Sequence, residues 1–265
     1  MMPGSVNRHS AAESSQSGPL IGIVCALHRE IAPFADSVEK LKSQSGNGFH
    51  FQGLRHQDLR ICVVEGATGA ERARQAALAL IDAFQPDYVL SAGFSGALIP
   101  NLNIGDIVMA DGVTSHDGSE RLSIDFHMPA SMPVWLHTGH LCMADHIIRL
   151  VSEKQELGRK TGAIAVDLES LAVARVCRDR STRFMAIRSI SDDLQSDLPP
   201  EVLAILGPKG TIRAGALIGS LLSRPNCVRD LWALRENSGI AANRLAQVLP
   251  GILDQLAASI PSAPS

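Results

Sequence analysis

The sequence predicts an α/β protein with three layers, α/β/α, around a twisted central sheet that is mixed but largely parallel. Short apolar runs of strand length alternate with segments in which apolar residues recur at helical spacing, a pattern typical of α/β folds. Several runs are continuously apolar, as expected of strands that are covered on both faces. The predicted strands are residues 20–27, 59–65, 87–92, 106–110 and 184–190.

Length and composition predict one globular domain. The chain has 265 residues, of which 45% are hydrophobic and 19% charged, enough for a single domain with a substantial core. We place this domain at residues 19–262, after a Ser-rich, disordered tail over residues 1–18. The net charge of −3 offers no general attraction for nucleic acid, and no apolar run approaches the ~20 residues of a membrane span.

Neither disulfides nor a metal site are predicted. The five cysteines are odd in number, lie mostly in apolar runs and form no CxxC pair, which favours reduced thiols in a cytoplasmic protein. His137-Thr138-Gly139-His140, followed by Asp145-His146, contains metal-ligating residue types. Their spacing lacks the pattern of a zinc site, so this alternative is disfavoured.

The first predicted strand ends in a charged triplet. His28-Arg29-Glu30 follow residues 20–27, and a helical pattern begins at Ile31. Because ligands bind at the carboxyl ends of strands in α/β sheets, Glu30 is a candidate site residue. A surface glutamate in a first helical turn is the alternative.

A glycine-containing loop precedes the next predicted helix. Gly66 and Gly69 lead into a helix that continues to Phe84, and Arg72 lies in its first turn. Glycines before a helix N-terminus let backbone N–H groups approach an anion. These three residues, Gly66, Gly69 and Arg72, are therefore a candidate anion site, with a surface arginine paired along its own helix as the alternative.

Two further elements carry acids at their ends. Asp167 is placed to cap a helix, where its charge suits the helix dipole, and Glu169 falls in the first turn of that helix. The apolar run 184–190 stops at Asp192-Asp193, after Ser191. Two carboxylates beyond a buried strand are costly to desolvate without partners, although a solvated turn or a helix cap is the alternative.

Two motifs carry a resemblance to a known family. The patterns V-D-L-E-S-x-A-x-A-x-V-C from Val166 and F-x-A-I-R-S-I-S-D-D from Phe184 resemble the signature of the nucleoside phosphorylase and nucleosidase superfamily. The most similar branches are the methylthioadenosine/S-adenosylhomocysteine nucleosidases and the hopanoid-associated phosphorylases. The resemblance implies a nucleoside phosphorylase-like fold, a small-molecule nucleoside substrate, no cofactor, and a homodimer or higher oligomer.

The resemblance implies roles for three acids. Asp192 matches the acid that protonates N7 of a purine, for which burial and the neighbouring Asp193 would help it to retain a proton. Glu169 matches the acceptor of the ribose hydroxyls. Glu30 matches the base that takes a proton from water as the water attacks C1′. Acid and base carboxylates on opposite sides of the bond follow the logic of glycoside hydrolysis.

The resemblance also implies a substrate-binding set. The glycine-rich segment that brings backbone close to the purine matches Gly93-Phe94-Ser95-Gly96. Leu168 is expected beside the substrate, and Ile147 is the approximate match to the residue that stacks on the base. Arg188 is expected to form a supporting ion pair with Asp192 or Glu169, with direct ligand contact as the alternative.

Departures from the phosphorylase pattern favour water over phosphate as the acceptor. Hexameric phosphorylases carry an arginine at the position of Ser91 and a phosphate-binding Ser or Thr at the position of Phe94. We therefore predict hydrolysis of the N-glycosidic bond of a purine nucleoside, with adenine as the expected base. Phosphorolysis with phosphate as co-substrate, including an adenosyl-hopane substrate, is the alternative. A catalytically silent nucleoside-binding domain is disfavoured by the retained acids.

Overall fold

The computed structural model describes residues 18–125, 133–200, 202 and 227–260. The predicted tail over residues 1–18 lies outside the described residues except for Gly18. The prediction of a single domain over residues 19–262 stays a prediction.

The described residues form strands and helices that alternate along the chain. The strands are β1 (Leu20–Val24), β2 (Glu39–Lys40), β3 (Gln44–Gly46), β4 (Phe49–His56), β5 (Leu59–Val64), β6 (Tyr88–Ala97), β7 (Ile107–Ser115), β8 (Arg121–Ser123), β9 (Leu136–Met143), β10 (Ala165–Asp167) and β11 (Arg183–Asp192). The helices are α1 (His28–Ala35), α2 (Ala70–Phe84), α3 (Val151–Thr161), α4 (Ser170–Asp179) and α5 (Cys227–Ala258).

All five predicted strands are present, and one informative difference lies in β6. This strand continues past residue 92 to Ala97, so it includes the whole glycine-rich segment. The reason is its long parallel pairing with β11, which extends from Tyr88 opposite Arg183 to Gly96 opposite Asp192. The segment is therefore a hydrogen-bonded strand rather than a loop.

The expectation of a mixed, largely parallel twisted sheet is corrected in part by the strand pairing. β6 pairs with β1 near its start and with β10 at Gly96 and Ala97. Because β10 pairs with β9, β9 with β7, and β7 with β11, five strands close into a barrel. β5, β4, β3 and β2 extend from β1, and β8 pairs with β7. Among the described strands, five pairings are parallel and six antiparallel. Irregular register near Asp192 and at residues 110–112 accompanies the curvature.

Helices pack on both faces of the sheet, which confirms the α/β class. Along β5, Ile61 and Val63 face a core shared with α1 and α5, whereas Cys62 and Val64 face a core shared with α2 and α4. This alternation is the period of two expected of a strand that is covered on both sides. None of the helices in the described ranges is long and apolar enough to cross a membrane.

The cysteines of known placement are buried free thiols, as predicted. They are Cys25, Cys62, Cys142 and Cys177. Burial raises the pKa of Cys62, Cys142 and Cys177 to about 12, so these thiols stay neutral and are poor nucleophiles.

Candidate active site

A cleft with a volume of about 200 Å³ lies beside the ends of β6, β10 and β11. Eight of the residues predicted from the sequence line it, namely Glu30, Phe94, Ser95, Gly96, Ile147, Leu168, Glu169 and Asp192. A smaller space of about 10 Å³ adjoins it behind Glu30 and Glu169, and Gly93 and Arg188 line this second space. The strand and helix ends carrying the predicted site residues thus converge on one region.

Glu30 is a buried carboxylate that is held by backbone N–H groups. It lies on the first turn of α1 and is 5% exposed. Its Oε2 accepts hydrogen bonds from the N–H groups of Ala26 and Leu27 at 2.9 and 2.8 Å, and its Oε1 accepts one from Phe94 at 3.0 Å. Burial raises the pKa of Glu30, and these hydrogen bonds offset only part of the increase. A carboxylate with a raised pKa is better suited to accept a proton near neutral pH.

Glu169 lies at the start of α4 and accepts a long-range hydrogen bond. It is the N-cap residue of α4, which begins at Ser170. The prediction that Asp167 is the N-cap is therefore wrong, because the cap lies two residues later. Its Oε1 accepts a hydrogen bond from Gly69 N–H at 2.7 Å. Burial, followed by the charge of Asp167, raises the pKa of Glu169 well above its usual range.

Asp167 and Arg188 form a buried ion pair beneath the site. The Nε and Nη2 atoms of Arg188 contact Asp167 Oδ2 at 2.7 and 2.6 Å. Arg188 also donates to the carbonyl oxygen and the hydroxyl of Ser91. The other oxygen of Asp167 accepts from the N–H and hydroxyl of Ser170 at the start of α4. The expected ion pair exists, but its acid is Asp167 rather than Asp192 or Glu169.

Asp192 is paired with a lysine that the sequence analysis did not identify. Its Oδ2 accepts from the ammonium of Lys154, and its Oδ1 accepts from Ser191 Oγ at 3.0 Å. Asp193, expected to influence Asp192, instead accepts from the N–H of Gln195. Lys154 and Thr161 are the buried residues of α3, and they share a face with the partly buried Leu157 and the N-cap residue Leu150. A lysine at helical spacing among apolar residues was the available signal.

The candidate anion site is not assembled. Gly69 N–H is occupied by Glu169, and Arg72 donates to the carbonyl oxygen of Gly48 while its guanidinium lies 3.9 Å from the centre of the Phe49 ring. Neither Gly66, Gly69 nor Arg72 lines the cleft or the adjoining space. These three residues therefore do not converge on the cleft, and an anion site at them stays a prediction.

Each histidine considered as a metal ligand contacts a different aspartate. His137 contacts Asp106, His140 contacts Asp111, and His146 contacts its neighbour Asp145. Within the described ranges, no group of three or more His, Cys, Asp or Glu side chains is placed to hold a metal ion.

Two glycines of β6 make room for the two candidate catalytic carboxylates. A Cβ atom on Gly93 would lie 2.9 Å from Glu30 Oε1, and one on Gly96 would lie 2.7 Å from Asp192 Oδ2. The backbone of β6 therefore packs directly against the carboxyl groups of Glu30 and Asp192. This close approach explains the need for glycine at both positions.

Alanine at either glycine is expected to lower turnover by ~10²-fold by displacing a carboxylate from its place. The measurement is kcat of Gly93→Ala and Gly96→Ala for the nucleoside cleavage that the sequence resemblance implies, with melting temperature recorded in parallel. Gly46→Ala is the matched control, because a Cβ atom there meets nothing within 4 Å. Wild-type kcat in both β6 variants would contradict the assignment of these carboxylates.

Comparison with known proteins agrees with this architecture. The 5'-methylthioadenosine/S-adenosylhomocysteine nucleosidase of Staphylococcus aureus (strain MRSA252) is 23% identical over 228 residues, covering 77% of this chain and 100% of that protein. The enzyme of the same name from Helicobacter pylori, crystallised with butyl-thio-DADMe-Immucillin-A, has a TM-score of 0.66 at 20% identity and covers 90% of this chain and 99% of that one. Futalosine hydrolase of Helicobacter pylori strain 26695 has a TM-score of 0.66 at 19% identity, covering 91% and 100%.

The family itself is established by a broader sequence match. A sequence model of the phosphorylase superfamily matches residues 20–135 and 126–205. These ranges make up more than half of the chain and include the three candidate site acids Glu30, Glu169 and Asp192. The resemblance noted in the sequence is thereby confirmed: this protein belongs to the phosphorylase superfamily.

Proposed function

We propose that this protein hydrolyses the N-glycosidic bond of a purine nucleoside, with adenine as the expected base. The observation that carries the proposal is the convergence of Glu30, Glu169 and Asp192 on one cleft with apolar walls at Ile147 and Leu168. Partly apolar walls suit a purine ring, and carboxylates suit the hydroxyls and the proton transfers of a nucleoside. The nucleosidases among the similar proteins support the same reaction class.

Each acid has a distinct role in the proposed reaction. Asp192 gives a proton to N7 as the bond between C1′ and N9 breaks, and the bonding electrons leave with the base. Glu169 accepts hydrogen bonds from the ribose hydroxyls and stabilises the positive charge that develops on the sugar. Water forms the new bond to C1′, and Glu30 takes its proton. A homodimer or higher oligomer, implied by the family resemblance, stays a prediction.

Backbone N–H groups that could bind phosphate already donate to carboxylates, which favours water over phosphate as the acceptor of the sugar. The N–H groups of Gly69 and Phe94, which an anion would need, are bound to Glu169 and Glu30. A phosphate dianion would thus meet two carboxylates rather than free donors. Among the described residues that line the cleft, Arg29 is the sole lysine or arginine. Burying phosphate with so few partners would cost several kcal/mol.

Product analysis tests the choice of acceptor. Purified protein is incubated with adenine nucleosides in phosphate-free buffer and in phosphate buffer, and the sugar products are separated. We expect free sugar at equal rates in both buffers. An Arg29→Ala variant is the matched control and should behave identically with respect to phosphate. A sugar 1-phosphate formed only when phosphate is present would contradict hydrolysis.

A further inference from the structure

Lys154 is the most deeply buried charge near the cleft, and the proposed reaction as set out above does not use it. Its side chain is 0% exposed, whereas that of Asp192 is 18% exposed. The ammonium donates to Asp192 Oδ2 and, at 3.1 Å, to the carbonyl oxygen of Asp193. Burying an ammonium costs several kcal/mol unless its partners compensate. The position of Lys154 is therefore tied to the strand end that carries Asp192.

The start of α3 is clamped to the segment that follows Asp192. Arg149 donates to the carbonyl oxygen of Leu198 at 2.7 Å, and Leu198 N–H donates back to the carbonyl oxygen of Arg149 at 3.0 Å. The N–H of Val151 donates to Asp197 Oδ1 at 2.8 Å. These bonds hold α3 in register with residues 192–198. The position of Lys154 relative to Asp192 is thus fixed by the hydrogen bonds at the start of α3.

The carboxyl of Asp192 is constrained on several sides and open on one. Lys154 holds Oδ2, Ser191 donates to Oδ1, and Gly96 lies against Oδ2 so closely that a Cβ atom would not fit. Asp192 nevertheless lines the cleft. A carboxyl with a cation behind it and a ligand space in front is arranged to release a proton toward the ligand, because the cation stabilises the carboxylate that remains.

We propose that Lys154 is a positioning residue that orients Asp192 and stabilises the carboxylate left when Asp192 protonates the purine leaving group. This inference rests on the proposed function. Asp192 first takes a proton from solvent onto Oδ1, the oxygen that Lys154 does not contact. In the step concerned, this O–H bond of Asp192 breaks and an N7–H bond forms, while the electrons of the C1′–N9 bond pass to the base. Water adds to C1′ and its proton goes to Glu30. Proton exchange with solvent then returns Glu30 and Asp192 to their starting states, and Lys154 remains an ammonium throughout.

The test is a double-mutant cycle on adenine release. Lys154→Met removes the charge while keeping a side chain of similar length. We expect kcat to fall by ~10–10²-fold, with KM changed by less than ~3-fold. The loss in kcat should be smaller than the ~10²–10⁴-fold contribution of the general acid itself, because Lys154 only assists Asp192. Because Lys154 acts through Asp192, the double variant with Asp192→Asn should be no slower than Asp192→Asn alone. Lys154→Arg, which keeps the charge, should recover most of the lost kcat.

The same substitution on an exposed lysine of α3 is the matched control. Lys160→Met should leave kcat and KM unchanged, since Lys160 is exposed on that helix. If Lys154→Met fails to fold, Lys154→Gln, which keeps a donor without the charge, takes its place in the cycle. Wild-type kcat in the uncharged variant, or losses that multiply in the double variant, would overturn the inference. Failure of the wild-type protein to release base from any nucleoside would instead contradict the proposed function.

Discussion

Asp192→Asn is expected to slow base release by ~10²–10⁴-fold while nucleoside binding and the fold are retained. The amide keeps the shape of the carboxyl and can still accept from Lys154, the partner of Asp192 Oδ2. It cannot transfer a proton to N7, so only the chemical step should suffer. The measurement is kcat on the best nucleoside of the wild-type protein, together with nucleoside affinity by calorimetry.

Asp193→Asn is the matched control for this experiment. Asp193 is adjacent in sequence, but its Oδ1 accepts from the N–H of Gln195 at 2.9 Å in a local turn. The control variant should turn over within a few-fold of the wild-type rate. A wild-type rate in the Asp192 variant and a large loss in the Asp193 variant would transfer the acid role to Asp193.

Arg188→Met is expected to lower the free energy of unfolding by about 3–5 kcal/mol, the usual cost of leaving a buried charge without its partner. Arg188 and Asp167 have side chains only 3% and 1% exposed, and they join β11 to β10 across the barrel. Without the guanidinium, Asp167 keeps only its bonds at the start of α4, including the hydroxyl of Ser170. Urea denaturation followed by circular dichroism measures the change.

Two comparisons make this stability prediction specific. Arg180→Met removes a pair with Asp82 in which both side chains are about half exposed, and it should leave stability nearly unchanged because solvent screens such pairs. The double variant Arg188→Met with Asp167→Asn should lose less than the sum of the two single variants, since neither charge is then left alone. A loss below about 1 kcal/mol for Arg188→Met would contradict the structural role of the pair.

Much of the fold was predictable because its signals are local. Continuous apolar runs identified the five strands, and the glycine-containing loop before residue 70 identified the start of α2. The placement of Glu30 and Asp192 in one cleft was also anticipated, since both follow strands whose carboxyl ends meet at one edge of a sheet. Their catalytic roles stay predictions until the variants are measured.

The sequence by itself determined the α/β class, five of the described strands and the family, through motifs whose residues are neighbours along the chain. Only the tertiary structure decided the barrel closure between β6 and β10, the pairing of Arg188 with Asp167, and the contact of Lys154 with Asp192. The last contact joins residues separated by 38 positions. Periodicity specifies which face of an element is buried, but it does not specify which buried charge meets which. That choice depends on how the elements are packed, because a buried ion must find its partner within a few ångströms in space, whatever the distance along the chain.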